Sequence, residues 1–260
     1  MSAMRFPVDW HVHAHQPGDM PAVLDKAAAA FARVNQHPFG VLMLAEMPGQ
    51  HGFAELAESG APGWSVQPTE EAASLVATRG EARIVVVAGH QLVSAERLEI
   101  LAFGTRGRPL EGVPAAAMLR DLADQDVLAV LPWGAGKWFG ARGATVKALL
   151  RLHSSDSLAL GDNATRPTLW PTPAAFGEAA RCGIAVLPGT DTLPGAAPAA
   201  GQFGSLVPGP IDLARPSEAL RRAVATRPDD FERYGSLASP ATFLRDQVML
   251  RLRRFGTRRG

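Results

Sequence analysis

Asp9-Trp10-His11-Val12-His13 is the stretch of this chain best equipped for chemistry. Imidazole is the commonest protein metal ligand, and residues two apart on a strand project to the same side. His11 and His13 therefore converge into one space and can chelate a single cation; the alternative is a solvated pair at a strand end. His15 continues the spacing but falls where the strand is expected to have stopped. Leu187-Pro188-Gly189-Thr190-Asp191-Thr192 places an acid just beyond another apolar run. Asp191 can ligate a metal there, or take a proton from a water that the metal activates. The local alternative is a carboxylate capping the following turn.

Two basic loops are the other candidates. Pro132-Trp133-Gly134-Ala135-Gly136-Lys137-Trp138-Phe139-Gly140-Ala141-Arg142-Gly143 combines flexible backbone, flat aromatic walls and two cations. Lys137, Arg142 and Trp133 are thus candidates for holding an anionic substrate. The loop is not a P-loop, because Trp138 stands where the hydroxyl residue belongs; packing over the site is its structural alternative. In Gly161-Asp162-Asn163-Ala164-Thr165-Arg166-Pro167, Arg166 either contacts substrate or pairs with Asp162 to fix the loop. His90 is a weaker candidate, while His37, His51 and His153 read as surface or helix-end residues.

These residues need elements to position them. Strands are expected at Phe6–His13, Phe39–Leu44, Arg83–Ala88, Arg97–Phe103, Val127–Leu131, Leu158–Leu160 and Ile184–Leu187. Gly89–Glu96 reads as a hairpin-like excursion. Helices are expected at Met20–Gln36, His51–Ser59, Thr69–Thr78, Pro114–Ala123, Ala144–His153 and Pro173–Arg181, and after a Pro/Gly-rich loop (Pro194–Pro210) at Ser217–Thr226 and Ser239–Arg254. Strands alternating with helices predict an α/β fold, a (βα)7–8 TIM-like barrel, closed or distorted. It would occupy residues 1–260 as a single domain, with C-terminal helices within 217–254. First and last strands are neighbours in such a barrel, which brings Asp191 beside the His pair at the C-terminal mouth. A doubly wound sheet would give a similar pattern, but its Gly-rich phosphate turn is replaced by His-Val-His-Ala-His-Gln.

Composition bounds the function. The 260 residues are 47% apolar and carry 26 basic against 25 acidic side chains, a net charge of +1. That excludes a disordered chain, and near-neutrality argues against nucleic acid as a partner. No apolar run is long enough to span a membrane and the N-terminus lacks a signal-peptide pattern, so a cytoplasmic protein is expected. Only three of the basic residues are lysines, a bacterial-type, Arg-rich bias expected of GC-rich coding. The single cysteine, Cys182, excludes a multi-thiolate metal site. The Arg-rich tail, Arg251–Arg259, reads as a solvated helix end. Oligomeric state is not legible.

The Asp-x-His-x-His at Asp9–His13 and the Gly-Thr-Asp at Gly189–Asp191 resemble metal-dependent hydrolases with TIM-like barrels. Two groupings fit: the amidohydrolase superfamily and the polymerase-and-histidinol-phosphatase (PHP) phosphoesterases. Ala88-Gly89-His90-Gln91 and Arg97–Gly104 resemble the PHP type more, and the likeness runs over most of residues 6–193. Departures are several. The acidic-His pair is replaced by Ala45-Glu46-Met47, the family glutamate falls at Gln91, a histidine falls near Glu99, and another falls at Leu193. The Ala-His-Pro motif reads Val130-Leu131-Pro132, and the amidohydrolase bridging lysine is absent. The resemblance implies a reduced, mononuclear site at His11, His13 and Asp191, which Glu46 or Glu99 could complete for zinc, manganese or iron.

The resulting expectation is a metal-dependent hydrolase-like protein acting through activated water on a small anionic substrate, a phosphate ester or a carboxylate-bearing amide. Asp191 or Glu46 would manage the proton; Lys137, Arg142, Arg166 and Trp133 would bind substrate. The alternative is a degenerate, non-catalytic barrel that binds a ligand or a protein partner.

Overall fold

Continuous apolar runs become strands buried on both faces, and their side chains alternate between two cores. The computed structural model describes residues 4–152, 156–192 and 198–245. In chain order it contains β1 (Arg5–Val12), α1 (Met20–Asn35), β2 (Phe39–Leu44), α2 (Gly52–Ser59), β3 (Ser65–Pro68), β4 (Ser74–Arg79), β5 (Ala82–Val87), β6 (Gly89–Val93), β7 (Glu99–Phe103), α3 (Ala115–Asp124), β8 (Leu128–Pro132), α4 (Ala141–Leu152), β9 (Leu158–Asn163), α5 (Ala174–Arg181), β10 (Val186–Gly189), β11 (Gly204–Pro208), α6 (Pro216–Thr226) and β12 (Glu232–Tyr234).

The strands form two mixed sheets, ordered β12-β11-β1-β2-β5-β4-β3 and β10-β9-β8-β7-β6. The expected (βα)7–8 barrel does not form. Its rhythm of strand and helix is present only in part, because β3/β4, β4/β5, β6/β7 and β7/β8 pair antiparallel, as do β1/β11 and β11/β12. Antiparallel neighbours need no crossover helix. Among the described residues, no helix is long and apolar enough to cross a membrane.

Alternation along the strands builds three cores. Leu42, Leu44, Ile84 and Val86 face α1 and α2, where Leu24, Phe31, Phe53 and Leu56 meet them. Ala129, Leu131, Leu158 and Leu160 face α3, α4 and α5. The opposite faces of both sheets turn toward each other: Val8 and Trp10, Val41 and Met43, Val85 and Val87, Leu128 and Val130 share one cluster with Leu187 and the α6 residues Leu220 and Val224. Fully burying a side chain of this size is worth ~1.5–3 kcal/mol, so strands with two apolar faces are stable only in such a sandwich.

The α1 helix shows the local logic. Met20, Leu24, Ala27, Ala28 and Phe31 lie on its buried side, Pro21 sits in the first turn, and Gln36 ends it at φ 58°. Gly40 of β2 has no side chain because a Cβ there would come within 2.4 Å of the Phe31 ring.

Two local expectations fail for tertiary reasons. Thr69–Thr78 is not a helix: Ser74–Arg79 is β4, paired with both β3 and β5. Glu71, within the expected helix, accepts the Ser217 and Glu218 N–H groups at the start of α6, both at 2.8 Å. The Pro/Gly-rich stretch also conceals β11, which pairs with β1 from Arg5↔Pro208 to Val8↔Ser205. Residues 240–245 are helical; the remainder of the expected last helix, the Arg-rich tail, His153 and Leu193 lie outside the described residues.

Candidate metal centre

A bulge re-aims the end of β1. Phe6, Val8 and Trp10 point between the sheets, yet Val12 points the other way, toward α1. The parity changes because the β1–β2 register shifts between Asp9 and Val12, as an extra residue in a bulged strand requires. His11 and His13 therefore face the space between the sheets.

The segment after β10 is stitched to this bulge without a regular ladder. Asp191 N–H donates to the His11 carbonyl at 2.7 Å. Thr192 Oγ1 accepts from His13 N–H at 2.9 Å and donates to the His13 carbonyl at 3.1 Å. Asp9, completely buried, accepts from Thr190 N–H and Gly201 N–H, each at 2.8 Å, from His11 N–H at 3.3 Å, and from the Thr190 hydroxyl. Burial pushes the Asp9 carboxyl up to about 7, against the pull of these donors.

This seam gathers three candidate ligands. His11 and His13 Nε2 lie 2.9 Å apart, and Asp191 Oδ1 is 3.6 and 3.5 Å from them. One ligand atom from each residue falls within a 4.8 Å circle. His13 Nδ1 is 2.6 Å from the Ala45 carbonyl, which must accept; Nδ1 thus carries the proton and Nε2 the lone pair, the outer-sphere arrangement typical of metal-binding histidines. Burial pushes His11 down to about 3 despite Asp191, so the ring is neutral, as ligation needs. Burial alone would raise Asp191, but His11, His13 and Lys137 outweigh it and hold the carboxyl well below its usual range.

Residues that the sequence did not single out complete the surroundings. Asn163 Nδ2 donates to Asp191 Oδ2 at 3.0 Å and to the Trp133 carbonyl at 2.8 Å, while its Oδ1 accepts from Thr165 Oγ1 at 2.7 Å. Its side-chain amide is thereby fixed in orientation. Gln91, where the resemblance places a family glutamate, lies beside the His11 ring and opposes the effect of burial on it. Position alone pointed to Gln91; no local signal marked Asn163 or Thr192.

The other expected site residues are placed differently. His15 turns to the Thr192 carbonyl, 2.6 Å away. Glu99 forms an ion pair with Lys137, and neither Glu99 nor Glu46 joins the triad's cluster of ligand atoms. Glu46 Oε1 accepts from Phe53 N–H at 2.8 Å, at the start of α2. It lines a separate cavity of about 240 Å³ with His51, His90, Arg106 and Arg108. Arg142 donates to the Gly136 carbonyl at 2.8 Å and braces its own loop. Arg166 is buried and grips Asp162 through two bonds of 2.7 and 2.8 Å. Trp133 is buried, edge-on to Trp170 at 5.9 Å.

No protein-family model matches the chain, and no curated protein sequence matches it. Solved structures do resemble it. The crystal structure of PsfC from Pseudomonas syringae PB-5123 aligns over 94% of this chain and 97% of that one, with a TM-score of 0.61 and 16% identity. The lesion-specific endonuclease PfuEndoQ from Pyrococcus furiosus aligns with a TM-score of 0.51 and 14% identity, over 89% of this chain and 57% of that one. Endonuclease Q in complex with a 27-mer duplex bearing an abasic lesion at the active site gives 0.52 and 12%, over 89% and 58%. The chain thus spans little more than half of the endonucleases' length. At these identities the likeness is one of fold. It nevertheless overturns the expectation against nucleic acid as a partner, because one of these structural neighbours holds a 27-mer duplex; near-neutral total charge does not describe the charge at one face of a molecule.

Proposed function

We propose that this protein is a metal-dependent hydrolase of phosphate esters, with the cation held by His11, His13 and Asp191. The observation that carries this reading is the convergence of two Nε2 atoms and one carboxylate oxygen at 2.9–3.6 Å, a spacing suited to ligands on one ion with bonds of ~2.0–2.2 Å. Two nitrogens and an oxygen suit zinc, manganese or iron. A divalent cation bound there would supply Lewis acidity and, from water, a nucleophile at neutral pH.

The chain's own residues do the rest. His13 is oriented by Ala45 and Asp191 by Asn163, so little reorganisation is needed on binding. Asp191 is ionised and would serve the cation as its anionic ligand; held so far below its usual range, its carboxylate would be too weak a base to keep the proton of an activated water, which would pass to solvent. Lys137, close enough to lower both His11 and Asp191, attracts the ester's phosphate, and its pairing with Glu99 aims it. Arg142 holds the Lys137 loop, and Arg166 holds the strand end beside it.

One observation favours a second reading, a binding protein without catalysis. Glu99, the acid nearest to a further ligand position in the PHP pattern, is taken up by Lys137. Protein purified without chelators decides between them. The hydrolase retains about one equivalent of divalent metal and hydrolyses an aromatic phosphate ester or diester with release of the phenol, and His13→Ala loses both. Metal content near zero in wild type, with no activity restored by zinc, manganese or iron, would sink the proposal. Cleavage of amides alone would move the substrate class.

A further inference from the structure

Exposed apolar side chains gather at one corner of the molecule. Phe139 is 59% exposed, Leu169 81% and Leu244 65%; Phe139 packs on Trp170, Leu169 precedes Trp170 in the chain, and Leu244 follows Phe243, which also packs on Trp170. The Phe139 ring stacks on Trp170 with centroids 6.2 Å apart and planes 12° from parallel. Trp133 supports Trp170 edge-on from below, and Phe243 flanks it at 6.3 Å. Among the described residues Trp170 is the ring that stacks on Phe139, and most of the Phe139 side chain stays exposed. Water-exposed aromatic stacks of this kind cost free energy unless something covers them.

The loop that presents Phe139 is held in place. Lys137 N–H donates to the Gly134 carbonyl at 2.9 Å and Arg142 to the Gly136 carbonyl at 2.8 Å. A Cβ at Gly143 would lie 2.3 Å from the Trp138 carbonyl, so the turn closes only with glycine there. Intermediate residues link the stack to the triad. Trp133 shares Asn163 with Asp191, and Phe139 follows Lys137 by two residues, no more than ~7 Å between Cα atoms. A flat apolar surface therefore lies two residues along the loop from the Lys137 cation, and is linked through Trp133 and Asn163 to the candidate phosphoester site.

We propose that the exposed surface of Phe139, backed by Trp170, is the subsite for a nucleobase, so that the ester presented to the triad belongs to a nucleotide. The inference rests on reading the triad as a phosphoester site. A stacked ring gains dispersion and loses exposed apolar area whichever base it belongs to. The same chemistry serves a free nucleotide or an unpaired base of a single strand, with phosphate toward Lys137 in both.

Calorimetric titration of the full chain with adenosine 5′-monophosphate, ribose 5-phosphate and a short single-stranded oligodeoxyadenylate tests this. Stacking predicts that a base-bearing ligand binds about tenfold more tightly than ribose 5-phosphate. Phe139→Ala and Phe139→Leu should both erase that advantage, since leucine keeps the apolar bulk but not the ring; Phe139 is exposed, so both variants fold. Preference for the monophosphate points to free nucleotides, and preference for the oligonucleotide to nucleic acid. Equal affinity with and without the base, or an advantage that survives Phe139→Ala, overturns the inference. Metal-dependent hydrolysis of ribose 5-phosphate without any base preference would remove the subsite and leave the hydrolase reading standing. Base-dependent binding with no hydrolysis would do the reverse.

Discussion

Gly189 sits so close to His11 that a Cβ on it would lie 2.4 Å from the His11 nitrogen and 2.5 Å from its Cβ. This contact is where β10 approaches the bulge of β1 and where both sheets contribute to one site. Gly189→Ala must push the two strands apart, and forced overpacking of this kind costs ~1–3 kcal/mol. The expected result is lower stability by urea denaturation together with weaker metal binding, because the seam carries both Asp191 and the His pair. Gly177→Ala is the control. It lies within α5 with nothing within 4 Å of the added Cβ, and it should stabilise by ~0.5–1 kcal/mol.

Asn163 connects the Trp133 loop to Asp191 through one amide. Asn163→Ala removes the donor on Asp191 Oδ2 and leaves the carboxylate free to rotate. Loss of such an outer-sphere partner costs 10–100-fold in metal affinity. Asn163→Asp should be worse than alanine in the apoprotein, because a second carboxylate would face Asp191, and added divalent metal should narrow the gap. Competition titration with a fluorescent zinc chelator reads both. Equal affinity of Asn163→Ala and wild type would show that Asn163 plays no positioning role.

The candidate ligands were legible in the sequence, and their surroundings were not, for a physical reason. His11, His13 and Asp191 stand at the ends of apolar runs, a local signal. The parity change that turns His11 inward depends on a register shift against β2, which no property of β1 alone encodes. Ser74–Arg79 has an acidic, alanine-containing lead-in resembling a helix start, but Glu71 is committed to α6, 146 positions away. In β11, Gly204 is required because a Cβ would lie 2.1 Å from the Val8 carbonyl; in sequence the same glycine reads as loop. For Arg166 the pairing half of the two readings was legible, since its partner Asp162 is only four residues away.

Asp162 is completely buried between two arginines, Arg166 in the interior and Arg233 at 2.8 Å with 41% of its side chain exposed. Removing a buried charge's partner costs ~3–5 kcal/mol. Arg166→Ala is therefore expected to cost about 3 kcal/mol, since Arg233 still neutralises Asp162, whereas Arg233→Ala, a largely exposed partner, should cost under ~1 kcal/mol. Urea denaturation measures both. Activity per folded molecule of Arg166→Ala should keep the wild-type KM. A stable Arg166→Ala variant with a raised KM would instead make Arg166 a substrate ligand.

Glu46 yields a prediction in pH. Burial raises its carboxyl, with the Phe53 N–H opposing and the neighbouring Glu55 adding to the rise. A carboxyl raised on folding is penalised when ionised in the folded state. The penalty is absent at pH values below the unfolded carboxylate range, ~4.3, grows as pH climbs toward the raised folded value, and is complete above it. Glu46→Gln keeps an acceptor for the Phe53 N–H but cannot ionise. The variant should melt higher than wild type at pH 7–8, with the difference shrinking as pH falls and gone near pH 4. Thermal denaturation across that range measures it. A variant less stable than wild type at pH 8 would mean that the Glu46 charge is stabilised by the start of α2, and that hydrogen bonding there outweighs desolvation.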